Sequence, residues 1–193
     1  MSLVYIHGAN ATPHSWNYIR NHCGDGYLLS YDSAVGFKNN LQQMLKELSN
    51  LDEIEFIAHS LGGIYAIHLA NALGDKVKCG ITLSTPYNGL GVPMYAKLIM
   101  PWYLLLYDIT PTSWPIKTAN NIKLQCPWYN IVTTSGTVPW VKGENDGVIT
   151  IESQRYRKDI ELIELNCNHY EVVLNPETVN IINMKLAKTS SIL

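Results

Sequence analysis

Hydrophobic positions along this chain alternate between two periods, short unbroken runs and stripes spaced three and four residues apart. The runs "LVYI" (3–6), "YLLSY" (27–31) and "EIEFIA" (53–58) read as buried strands, and "VKCGITLS" (77–84), "WYNIVTTS" (128–135) and "IELIEL" (160–165) continue the series. Helical stripes lie between them. Thr12 and Pro13 offer an N-cap and a first-turn proline for a helix reaching about Cys23. Leu41, Met44, Leu45, Leu48 and Leu51 share one face of a helix that begins near Phe37. A third helix covers 61–73 and stops at Gly74, and Asn175 with Pro176 opens a last one with Val179, Ile182 and Leu186 inward. Such alternation predicts a three-layer α/β/α fold around a six-stranded, mostly parallel sheet.

One interval breaks the rhythm. Between Pro86 and Pro127 lie about forty residues, where a single crossover helix would suffice. Pro93, Pro101, Pro111 and Pro115 divide it, and it is rich in aromatic and aliphatic side chains. The segment at about 88–125 is expected to form one or two short helices lying as a cap over the carboxyl ends of the strands. Ligands bind there in open parallel sheets. Tyr87, Met94 and Trp102 are its expected substrate contacts.

Composition narrows the picture. The 193 residues suit a single domain, and 47% hydrophobic against 16% charged residues describes an ordinary globular chain. The net charge is −2 with no basic stripe, which argues against nucleic acid as a partner. Cys23, Cys79, Cys126 and Cys167 are scattered, without C-x-x-C pairs or metal-ligand spacing, and read as free thiols that fit a reducing compartment, two bridges being the alternative. The amino terminus enters a strand directly, without the features of a signal peptide, and "LIMPWYLLLY" (98–107) is too short to cross a bilayer. A soluble, cytoplasmic protein is expected.

The chemistry centres on "AHSLGG", which begins at Ala58 between a predicted strand and a predicted helix. A strand–turn–helix of this kind presents a serine hydroxyl on a strained turn, and Gly62 lets the turn close. Ala58 stands where G-x-S-x-G has glycine, which alanine satisfies if its φ is negative. A nucleophilic serine needs a base, and the base needs an orienting acid. His68 and His169 are the histidines beyond Ser60; His68 falls within the following helix, which leaves His169 in "NCNHYE" after the last strand. Among the acids between Ser60 and His169, Asp146 in the glycine-rich "GENDGVI" is preferred, with Glu144 as the alternative. The oxyanion of a tetrahedral intermediate would be met by the backbone N–H groups of Leu61 and Ala9, the latter in "HGAN" after the first strand. His7 is expected to pin that loop.

Four separated segments, "YIHGAN", "IAHSLGG", "NDGVI" and "NHYEVV", carry a resemblance that spans nearly the whole chain. Together they resemble the α/β-hydrolase superfamily, and within it the small bacterial lipases and esterases, including minimal Bacillus-type lipases with alanine before "HS". The chain enters at what would be that family's third strand. The resemblance implies carboxylic-ester hydrolysis through an acyl-enzyme: Ser60 attacks, His169 takes its proton and Asp146 fixes the imidazole. It implies a small-molecule ester or lipid substrate; no cofactor is expected, and no metal site is carried over from the family, because no second aspartate cluster accompanies Asp146. A thioesterase or acyltransferase would keep the same triad. A catalytically silent relative would bind a lipid, a membrane surface or a partner through the 98–107 stretch.

Overall fold

In a computed structural model, residues 1–91, 94–138, 141 and 143–191 are described, apart from the side chains of Met94, Tyr95 and Ser190. Among these residues, six strands form one sheet: β1 (Ser2–Ile6), β2 (Tyr27–Leu29), β3 (Ile54–His59), β4 (Val77–Leu83), β5 (Trp128–Thr133) and β6 (Glu161–Leu165). Their order is β2-β1-β3-β4-β5-β6, and every pairing is parallel. The strand order reverses between β1 and β3, whose register sets Ile6 opposite Ala58. In open α/β sheets, that switch point is where a ligand crevice opens.

Side-chain alternation along each strand feeds two cores. Val4, Ile6, Phe56 and Ala58 face α2 (Phe37–Leu48), α3 (Leu61–Leu73) and α6 (Trp114–Asn121). Tyr5, Ile57, Ile81 and Ile131 face α1 (Asn17–Cys23) and α8 (Pro176–Ser190). The predicted inner positions Val179 and Ile182 are buried in this second core. α3 lies very close to the sheet. A Cβ on Gly62 would sit 2.4 Å from the Ile6 carbonyl oxygen, so only glycine permits this approach.

Among the described residues, the 88–125 segment holds three short helices rather than one or two: α4 (Met94–Ile99), α5 (Leu105–Asp108) and α6. Pro115 does not divide it, because it occupies the first turn of α6, where a missing N–H costs nothing. The cap is tied down at several points. Asp108 Oδ2 accepts from the Phe37 N–H at the start of α2, 2.9 Å away. The buried Arg157 guanidinium donates to the carbonyls of Ala119 and Ile122 at the end of α6, at 2.6 and 2.8 Å. Tyr103 hydrogen-bonds Asn10 in the loop after β1. Among the described residues, no helix is long and apolar enough to cross a membrane.

Candidate active site

Ser60 sits at the switch point, between β3 and α3, with φ at 53°. This left-handed conformation is uncommon for a residue with a Cβ and marks a backbone held from outside. The restraints are hydrogen bonds. The Ser60 N–H donates to the Leu83 carbonyl at 2.8 Å, while its carbonyl accepts from the Gly63 N–H at 3.0 Å and the Thr85 hydroxyl at 3.2 Å. Ala58 keeps a negative φ, so alanine fits the place where glycine is usual.

The structure brings His169 and Asp146 together. Nδ1 of His169 lies 2.7 Å from Asp146 Oδ2, and the His169 N–H also donates to the Asp146 carbonyl at 3.0 Å. Both residues are buried. The carboxylate must accept, so Nδ1 carries the hydrogen and Nε2 is left to act as a base. Burial works to raise the Asp146 carboxyl. The His169 hydrogen bond and charge, the Ile149 N–H and the Thr133 hydroxyl together outweigh it and hold the carboxyl below its ordinary value. Glu144, the alternative acid, is exposed.

The loop carrying His169 is locally braced. The Asn168 N–H donates to Glu171 Oε2 at 3.0 Å, and the Glu171 N–H returns a bond to Asn168 Oδ1 at 2.9 Å. This reciprocal pair, spaced like a capping box, closes the turn that leads into Glu171–Leu174. His59, next to the serine, grips the same loop from beneath, with Nε2 donating to the His169 carbonyl at 2.9 Å. Burial, aided by the neighbouring His169, drives the His59 imidazole down to about 3, so it serves as a neutral donor.

"HGAN" follows β1 at the same rim. His7 Nδ1 donates to the Gly8 carbonyl at 2.8 Å, its Nε2 accepts from the Tyr31 N–H at 3.4 Å, and its ring stacks on Tyr31 with centroids 4.3 Å apart. These contacts pin the loop. A Cβ on Gly8 would lie 2.9 Å from the His59 ring, so glycine lets the loop close against the serine turn. Leu61 is the first residue of α3, where helix geometry leaves its N–H without an intrahelical acceptor.

Ser60, His169, Ala9 and Leu61 line one cleft of about 290 Å³. Among the described residues, no direct hydrogen bond joins the side chains of Ser60 and His169 across that cleft. Leu90, Leu105 and Ile109 of the cap, with Val148 and Ile149 of the acid loop, supply its apolar walls, and no described lining residue is charged. Two of the three expected substrate contacts, Tyr87 and Trp102, are not brought here. Tyr87 is fully buried below, its hydroxyl 2.7 Å from Thr82 Oγ1 and 3.2 Å from the Trp128 indole nitrogen. Trp102 is 70% exposed on the outside of the cap. The Met94 side chain lies outside the described residues.

The sequence matches no protein-family model and no curated protein. Solved structures do resemble the fold. A carboxylesterase of the thaumarchaeon Nitrososphaera gargenis aligns with a TM-score of 0.70 at 15% identity, over 100% of this chain and 92% of that one. The mature lipase of Bacillus licheniformis aligns at 0.66 and 15%, over 96% and 91%. An α/β superfamily hydrolase of Oenococcus oeni aligns at 0.67 and 13%, over 98% and 93%. With its all-parallel six-stranded sheet, the serine turn after β3 and these neighbours, the chain has the α/β-hydrolase fold.

Proposed function

We propose that this chain is a serine hydrolase that cleaves carboxylic esters through an acyl-enzyme. The observation that carries the reading is the 2.7 Å bond from His169 to Asp146 beside the strained Ser60, at a cleft also lined by Ala9 and Leu61. In the reaction, His169 Nε2 takes the Ser60 proton as Oγ attacks the ester carbonyl. A Ser60–His169 hydrogen bond forms as substrate fills the cleft, since catalytic hydrogen bonds are often completed only in the substrate complex. The Leu61 and Ala9 N–H groups meet the developing oxyanion. The imidazolium then protonates the leaving alcohol, and water, activated by the same imidazole, releases the acid and restores Ser60.

The uncharged apolar walls favour an uncharged acyl group. Leu98, Ile99 and Trp102, exposed on the cap at 75%, 67% and 70%, support peripheral contact with a lipid surface. The four free thiols fit a reducing compartment such as the cytoplasm. A panel of p-nitrophenyl esters and emulsified triglycerides tests the substrate class. Hydrolysis by wild type and its loss in Ser60→Ala are expected; thioester cleavage without ester cleavage would reassign the enzyme to thioesters.

A further inference from the structure

Three fully buried polar side chains stand behind the carboxylate, outside the cleft: Ser84 after β4, Thr133 at the end of β5 and Gln154 at the end of α7 (Ile151–Gln154). The orientation of the Gln154 amide follows from its partners. Oε1 faces the Thr133 N–H at 2.9 Å, which can only donate. Nε2 faces Asp146 Oδ2 at 3.0 Å and the Thr133 carbonyl at 3.2 Å, which accept.

The Thr133 hydroxyl has one hydrogen and three oxygens around it: Asp146 Oδ2 at 2.6 Å, Ser84 Oγ at 2.8 Å and Gln154 Oε1 at 3.2 Å. An ionised carboxylate is both the nearest acceptor and the strongest, so it takes that hydrogen. Ser84 must then be the donor to Thr133. Donation therefore runs one way, from Ser84 to Thr133 to Asp146. Ser84 itself has φ at 50°, a strained conformation that glycine would hold more comfortably. A serine there keeps a hydroxyl at the head of the chain.

We propose that Ser84, Thr133 and Gln154 are positioning residues: their one-way hydrogen-bond chain holds Asp146 Oδ2 against His169 Nδ1 and keeps the carboxylate an acceptor. This rests on reading Ser60, His169 and Asp146 as an ester-cleaving triad. The chain spreads the carboxylate's charge over several donors. Removing a donor leaves the carboxylate more basic and less well aimed, so it holds a protonated imidazole more firmly. None of the three lines the cleft, so substrate binding should be spared.

The test compares wild type with Thr133→Val, which keeps the shape without the hydroxyl, and Thr133→Ser, which keeps the hydroxyl. The substrate is a short p-nitrophenyl ester, assayed across the range in which imidazole titrates. Thr133→Val should lose about tenfold in kcat at unchanged KM, the rate equivalent of one hydrogen bond to a charged group. Its acid limb should move to higher pH, and Thr133→Ser should keep both near wild type. A wild-type profile in Thr133→Val, or equal damage in Thr133→Ser, overturns the proposal.

Should Thr133→Val fail to fold, Ser84→Ala and Ser84→Gly supply a second arm. Both lack the donor but only glycine relieves the φ strain, so both should lose about threefold in kcat whatever their stability. Activity that tracks stability instead overturns the proposal. The low-field proton resonance of the imidazole N–H facing Asp146 needs no substrate. If wild type cleaves no ester, the triad reading fails on its own; a resonance that still moves in Thr133→Val upholds the positioning chain, and one that stays put overturns it.

Discussion

Asn10, Ser60 and Ser84 are the non-glycine residues with positive φ among those described, and each lies just past the carboxyl end of a strand, β1, β3 or β4. Such a backbone costs about 1–2 kcal/mol per residue, and its repetition gathers backbone strain at the carboxyl ends of the strands, the rim that holds the proposed site. Every one of the three is held by side chains or carbonyls from neighbouring segments. Asn10 accepts from Tyr103 through its side chain and donates its backbone N–H to Ser33 Oγ, 3.0 Å away. The acid is the residue with the sharpest expectation. Asp146→Asn should leave far-ultraviolet circular dichroism unchanged while kcat on a short ester falls by about 10³–10⁴, because an amide NH₂ facing Nδ1 favours the wrong imidazole tautomer. Near-normal turnover would remove Asp146 from the mechanism.

At the level of elements, strands and long helices are legible because burial imposes their period, and each of the six predicted runs overlaps a strand of the sheet. The serine turn was legible for a local reason: strand, "AHSLGG" and helix are contiguous in the chain. The reciprocal pair of Asn168 and Glu171 also carries a local signal, the spacing of a capping box. The support behind Asp146 was not readable, because Ser84, Thr133 and Gln154 come from three distant segments that only the folded sheet brings together. The cap misled in a different way. Its prolines leave no period to say which side chains turn inward, so aromatic content pointed to Tyr87 and Trp102, whereas Leu90, Leu105 and Ile109 wall the cleft. Leu105→Ala combined with Ile109→Ala should therefore shift the preferred p-nitrophenyl ester toward longer acyl chains while changing acetate hydrolysis by less than about threefold. An unchanged chain-length profile would reduce these residues to packing.

For the molecule as a whole, burial is the leading effect on His7, His59 and His68, and it lowers the affinity of each for a proton below the ordinary 6.5. The unfolded chain binds those protons near 6.5 and the folded one does not, so their stabilising share is complete above that pH. It drains away as pH falls toward the folded values, about 3 for His59. Asp146, held low by its partners, loses its own share in the same direction. Urea midpoints should therefore fall between about pH 7 and about pH 4, and His59→Gln, which keeps a donor for the His169 carbonyl, should flatten that slope. A midpoint independent of pH in wild type would contradict the buried, neutral imidazoles. The central claim is that the Ser60 oxygen is a nucleophile activated by His169. Its most direct measurement is labelling by a fluorophosphonate followed by mass mapping of the modified peptide. One label per chain on Ser60, absent from Ser60→Ala and strongly slowed in His169→Ala, is the predicted result; a folded wild type that takes no label, or takes it equally in Ser60→Ala, would contradict the account.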